Sequence, residues 1–155
     1  MPNNRALNYT LRLLNRRWYA ESEIEQKLKK KGYSNSCIND VIQYLRNENY
    51  INDDRFVENW IRDRINLKPM GRIRIRYELY SKGINKQIVD EKLTLLLSDD
   101  LEYKLALDLT RKKMNSKFET SKDFAERVYG FLMRRGFTSY TISQVVRELD
   151  MAEEK

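Results

Sequence analysis

The sequence predicts an all-α protein built from three tandem three-helix repeats. Two observations carry this. The 155 residues are 41% hydrophobic and 34% charged, with only five glycines and two prolines, a balance that favours helices over strand-and-turn architecture. Three of those glycines, Gly32, Gly83 and Gly136, also sit in the same apolar pattern. Eight and four residues before each stand Ile24 and Leu28, Ile75 and Leu79, and Val128 and Leu132. Six, ten and thirteen residues after stand Ile38, Ile42 and Leu45, then Val89, Leu93 and Leu96, then Ile142, Val146 and Leu149. Those spacings lay one apolar stripe along each of two helices. A period of about fifty residues is that of a long helical repeat.

The turn between the two helices is legible too. A basic residue precedes each glycine (Lys31, Lys82, Arg135), where a cation meets the helix dipole and glycine can take the left-handed conformation that ends a helix. An apolar residue follows (Tyr33, Ile84, Phe137), then an N-cap type (Ser34, Asn85, Thr138).

A further helix precedes each pair. In the first unit it covers about residues 5–18, with Ala6, Leu7, Leu11, Leu13, Leu14 and Trp18. The second helix there opens at Ser22 and Glu25, a capping-box spacing. In the second unit the first helix covers about 54–67, its stripe being Phe56, Val57, Trp60, Ile61 and Ile65; Lys68-Pro69-Met70-Gly71 then breaks the chain. The alternation in Arg72-Ile73-Arg74-Ile75-Arg76 imitates a strand, but Ile75 and Leu79 hold positions that are helical in the sister units, so a helix is expected. In the third unit the first helix covers about 100–115, with Leu101, Leu105, Ala106 and Leu109. The units are expected at 1–53, 54–98 and 99–155. Repeats this small gain stability by stacking, which predicts an elongated, curved body.

The formal charge is +7. Nine basic residues face six acidic ones over 1–53, ten face six over 54–98, and eleven face eleven over 99–155. An anionic partner is therefore expected along the first two thirds. The densest run is Arg62, Arg64, Lys68, Arg72, Arg74 and Arg76, with Asp63 the only acid among them. Arg72 and Arg76 lie one turn apart, on the side away from Ile75 and Leu79. The run reads as a gripping surface for phosphate or acidic protein, against the plainer reading of a solvated face. Arg16, Arg17, Lys29 and Lys30 form a possible secondary basic surface.

Catalytic constellations are absent from the pattern. With no histidine, neither a histidine-based triad nor a histidine-ligated metal site can form. Neither a catalytic residue nor a metal or other cofactor is expected. Cys37 is either a thiol at a helix start or a small residue beside the core stripe. Asp53-Asp54 would suit a cation, or equally a helix N-terminus. Glu21, Glu23 and Glu25 ahead of Lys27, Lys29, Lys30 and Lys31 complement a helix dipole, with Glu23 in reach of Lys27. Trp60 belongs to a core stripe, or stacks on bases; Trp18 and Tyr19 are expected at the surface. No leader peptide or membrane span is evident and the single cysteine suits a reducing compartment, so a cytoplasmic protein is expected.

Three segments together resemble the RecX family of bacterial recombination regulators. They are ALNYTLRLLNRRWYAESEIEQKLKKKGY, VIQYLRNENYINDDRFVENWIRDR and GRIRIRYELYSKGI. The family junction of Leu or Tyr, apolar, Asp-Asp, Arg-Phe is matched by Tyr50-Ile51-Asn52-Asp53-Asp54-Arg55-Phe56. Its following helix is matched by Gly71, Arg72, Ile73, Glu78-Leu79 and Lys82-Gly83-Ile84. The resemblance covers about residues 5–150. It implies tandem three-helix repeats and a non-enzymatic regulator, expected as a monomer, that binds the RecA recombinase filament on single-stranded DNA and inhibits ATP hydrolysis and strand exchange. Single- or double-stranded DNA is expected as a possible further target of the basic face. The alternative is a direct nucleic-acid-binding protein with helix-turn-helix-like units.

Overall fold

The computed structural model describes residues 1–114 and 120–153, and among these all regular structure is helical. The helices are α1 (Asn4–Leu14), α2 (Glu21–Lys30), α3 (Asn35–Asn47), α4 (Asp53–Asn66), α5 (Arg72–Ser81), α6 (Lys86–Leu96), α7 (Asp99–Lys113), α8 (Ser121–Arg134) and α9 (Ser139–Glu153). They follow the expected three-by-three order. Part of the first helix expected over 100–115 falls on residue 115, outside the described residues.

Packing divides the chain into two compact units. The first comprises Met1–Asn59 with Leu79–Val89, the second Trp60–Glu78 with the described residues of Asp90–Lys155. Residues of α4, α5 and α6 are thus shared out between them. In the first unit the core joins Ala6, Ile24 and Leu28 to Ile38, Val41, Ile42 and Leu45. In the second it joins Ala106 and Leu109 to Phe124, Val128, Leu132, Phe137, Ile142 and Val145. These are the stripes flanking Gly32 and Gly136.

All three glycines have positive φ: Gly32 +86°, Gly83 +74° and Gly136 +80°. At the first, the Gly32 N–H donates to Lys29 O at 2.9 Å and the Tyr33 N–H to Leu28 O at 3.2 Å. Gly136 and Phe137 repeat the pair, to Met133 O and Leu132 O. This double bond satisfies carbonyls that the helix end would otherwise leave open. Ser34 Oγ accepts from Cys37 N–H, Asn85 Oδ1 from Gln87 N–H, and Thr138 Oγ1 from Thr141 N–H, so each expected cap is made.

Residues 72–77 are helical, as the repeat requires. Ile75 and Leu79 are fully buried whereas Ile73 is half exposed, which a helix permits and a two-residue period on one sheet face does not. Other expectations need correction. The N-cap of α2 is Ala20, not Ser22, and it is Glu23 that reaches back, accepting from the Ala20 N–H at 2.9 Å. Alanine has no side-chain acceptor, and the Glu21 N–H is met instead by Asp53 Oδ1 at 3.0 Å. Tyr19 is buried, its ring covered by the Arg17 guanidinium at 3.6 Å; Trp18 is exposed, as expected.

Candidate partner-binding surface

The run from Arg62 to Arg76 lies wholly in the second unit, on the end of α4, the break after it and the start of α5. The break is shaped by Pro69, which has no N–H to continue α4. Instead the Met70 N–H donates to Arg64 O at 3.1 Å. Beyond it the Gly71 N–H donates to Arg135 O at 2.9 Å and the Ile73 N–H to Gly136 O at 3.0 Å, seating the start of α5 on the turn after α8. Backbone contact this close requires glycine at 71, since a Cβ there would strike Gly136 O and Phe137 N.

The six basic side chains have different fates. Arg72 turns inward: its Nε donates to Glu102 Oε2 at 2.6 Å and its backbone N–H to Glu102 Oε1 at 2.9 Å. Its Nη2 reaches Leu97 O at 3.1 Å and Asp99 Oδ1 at 2.8 Å. Glu102 is 1% exposed. The expectation that Arg72 points outward is therefore overturned. A buried carboxylate needs a counter-charge, and Arg72 supplies it through a fork of donors.

Arg64 is also drawn in. Its Nε and the Trp60 Nε1 both donate to Glu78 Oε2 at 2.8 Å, and Arg74 Nε donates to Glu78 Oε1 at 3.2 Å. The Arg64 guanidinium lies 4.7 Å from the Trp60 ring centre. Burial alone would push the Glu78 carboxyl up, but the bonds from Arg64 and Trp60 outweigh it and hold it below the usual glutamate value. Trp60, half-buried, joins this cluster through its Nε1 and its ring.

The outward positions are Arg62, Lys68 and Arg74, with Arg76 partly covered. Arg76 Nε pairs with Asp90 Oδ1 at 2.9 Å, a solvated contact. In the first unit Arg16, Lys29 and Lys30 are exposed. Arg17 is engaged by Trp18 O at 2.8 Å and Glu23 Oε1 at 3.2 Å. Glu23 takes Arg17 and Lys82 (3.0 Å), not the expected Lys27, whose ammonium lies over Tyr19.

Glu78 and Glu102 are the charge partners that sequence reasoning missed, whereas Glu23 was expected to pair but with another partner. Glu78 had a signal, being one turn after Arg74. Glu102 had none, thirty residues from Arg72. Asp53 serves the helix-terminus reading: burial pushes its carboxyl up, partly countered by the Glu21 N–H. Among the described residues no group of three or more His, Cys, Asp or Glu side chains is placed to hold a metal ion. No described helix is long and apolar enough to cross a membrane.

Comparison with known proteins gives a consistent picture. Family models match along the chain in order: the RecX first three-helix domain over residues 6–45, the second over 52–93 and the third over 100–146. A protein named Regulatory protein RecX from Clostridium beijerinckii is 34% identical over 142 residues, covering 90% of this chain and 65% of its own length. One of the same name from Chlorobium phaeobacteroides is 33% identical, covering 94% and 93%. The crystal structure of RecX from Lactobacillus salivarius superposes with a TM-score of 0.86 at 25% identity, over 95% of this chain and 96% of that one. The chain thus spans about two thirds of the clostridial relative and nearly all of the other two.

Proposed function

This chain belongs to the RecX family of regulatory proteins, and on that footing we propose that it binds the RecA recombinase filament on single-stranded DNA and restrains ATP hydrolysis and strand exchange. The observation that carries the proposal is the match of all three three-helix domains, in order, from residue 6 to residue 146. The same reading takes 1–53, 54–98 and 99–155 as the successive repeat units. Binding rather than chemistry is the mode of action: a helical repeat presents broad surface, and occupying a filament obstructs it without any bond being made or broken.

The basic surface that serves this role is Arg62, Lys68, Arg74 and Arg76, with Arg16, Lys29 and Lys30 as its counterpart in the first unit. Arg64 and Arg72 support that surface from within, since their guanidinium groups are committed to Glu78 and Glu102. Exposed arginines and lysines attract an acidic surface or phosphates at long range and speed encounter.

The test is a pull-down with RecA, with and without single-stranded DNA and nucleotide, alongside the ATPase rate of the filament. Retention on the nucleotide-bound filament together with a lowered ATPase rate supports the proposal. Retention on bare single-stranded DNA to the same extent, with no effect on RecA, would favour the direct nucleic-acid binder instead.

A further inference from the structure

The two compact units build the same kind of junction with different side chains. In the first, the start of α2 meets the Gly83 turn: a side chain at Gly83 would run into Ser22, and Lys82 Nζ bonds Glu23 Oε1 at 3.0 Å. In the second, the start of α5 meets the Gly136 turn through the Gly71 and Ile73 N–H groups. Equivalent places can therefore be compared. Ser22, Glu23 and Gln26 stand ten, nine and six residues before Gly32; Ile73, Arg74 and Tyr77 stand there before Gly83. Two residues before Gly83 is Ser81, and two before Gly136 is Arg134. Polar residues suffice for the junction in one unit, so packing does not require the apolar and basic ones in the other.

Four of these residues, Ile73, Arg74, Tyr77 and Arg134, line one groove together with Met133 and Gly136. They surround about 330 Å³. Ile73 is 49%, Tyr77 64% and Met133 46% exposed, and large apolar surface held in water is costly. Two cations, Arg74 and Arg134, line it beside the apolar residues, and no carboxylate of the described residues does. Glu78, which touches Arg74 Nε, is turned toward Trp60 and Arg64.

We propose that this α5–α8 groove docks an acidic protein segment, with an apolar side chain seated among Ile73, Tyr77 and Met133 and carboxylates meeting Arg74 and Arg134. The proposal deepens the regulatory reading above and rests on it. An apolar centre with a charged rim is the anatomy of a protein interface, and tyrosine and arginine are the residues that carry most of its affinity. Arginine forks match carboxylates in a bidentate way. A nucleic-acid strand would use the two cations but leave Ile73 and Met133 without a matching surface, so a protein occupant is favoured.

The test uses the full chain and the recombinase filament on single-stranded DNA as probe. Tyr77→Ala with Met133→Ala, shown by circular dichroism to be folded, is expected to bind the filament at least ten-fold more weakly. Its affinity for bare single-stranded DNA should not change. Tyr129→Ala with Met151→Ala, exposed apolar residues elsewhere on the same unit, should bind the filament as the wild type does. If the groove variant fails to fold, exposed Arg134→Glu carries the same expectation. Photo-reactive benzoylphenylalanine in place of Tyr77 should cross-link to an Asp- and Glu-rich segment of the recombinase. Undiminished filament binding by the folded groove variant, or cross-links to DNA, overturns the groove while leaving the regulatory reading intact. A wild-type chain that does not bind the filament at all overturns both.

Discussion

Arg72 and Glu102, thirty residues apart, are joined twice: the guanidinium Nε meets one carboxylate oxygen at 2.6 Å and the backbone N–H meets the other at 2.9 Å. The same guanidinium also reaches Leu97 O, so one side chain fixes the start of α5 to the start of α7. Removing Arg72 leaves Glu102 buried without its counter-charge. Arg72→Ala should therefore cost about 3–5 kcal/mol, and Arg72→Glu more, since two carboxylates would then face each other. Arg76→Ala breaks only a solvated pair with Asp90 and should cost no more than about 1 kcal/mol. Urea unfolding of the three variants checks the order; equal midpoints for Arg72→Ala and Arg76→Ala would show that the buried fork adds nothing.

The three turn glycines should differ in sensitivity although their φ angles are alike. Gly32→Ala meets nothing within 4 Å and should cost only the left-handed strain, about 1 kcal/mol. Gly83→Ala brings a Cβ to 2.8 Å from the Ser22 Cβ, a clash that a small side chain can partly relieve. Gly136→Ala drives a Cβ into the backbone of Arg74, which cannot move without dislodging α5. The expected ranking in thermal melting is Gly32, then Gly83, then Gly136 as the most damaging. Gly136→Ala as mild as Gly32→Ala would contradict the close approach.

Stability should carry a carboxylate signature at low pH. Glu78 and Glu23 are each held below the ordinary glutamate value of 4.5, burial opposing but their hydrogen bonds prevailing. A depressed folded-state pKa stabilises fully above the unfolded value and loses that stabilisation as pH falls through the folded one. Denaturant midpoints should thus be flat above about pH 5 and decline below about 4.5. Glu78→Gln should lower the plateau and make the decline shallower. Asp53, pushed up by burial, acts in the opposite sense, since its protonation favours the folded state; Asp53→Asn should steepen the decline. An unchanged acid limb in Glu78→Gln would remove Glu78 from this account.

Charge reversal tests the exposed basic surface without touching the internal forks. Arg62→Glu with Lys68→Glu should leave melting within about 1 kcal/mol of wild type, as both side chains are exposed. Filament binding should fall several-fold, because attraction at both positions becomes repulsion. Should the partner be single-strand phosphate, the slope of log affinity against log salt becomes shallower by about 0.7 for each phosphate no longer neutralised. A folded variant with unaltered affinity at every salt concentration would reduce these two residues to solvation.

The sequence by itself determined the helices, their order and their turns. Each of those signals is local. A stripe at Ile24 and Leu28 or at Ile38, Ile42 and Leu45 arises from the 3.6-residue period, and a positive φ at Gly32, Gly83 or Gly136 from the absence of a Cβ. Both are written within a dozen residues, so reading them needs no knowledge of what packs where. Even the alternating Arg-Ile run yielded to the same logic once Ile75 and Leu79 were matched to their sister positions.

Tertiary structure alone decided what the charges do. Lys82 meets Glu23 across 59 residues and Arg72 meets Glu102 across thirty, distances along the chain that no helical spacing encodes. The strength of a charge depends on its separation through space and on how far water is excluded. One arginine of a basic run can therefore become a partly buried strut while its neighbour Arg74 stays at the surface. Tyr19 shows the same dependence, passing from expected exposure to burial because it packs into the core of the first unit, with Arg17 over its ring. Ile73, Tyr77 and Met133 show the converse. They are apolar residues in a well-packed fold, and it takes the placement of α5 beside the α8 turn to reveal that they face outward together.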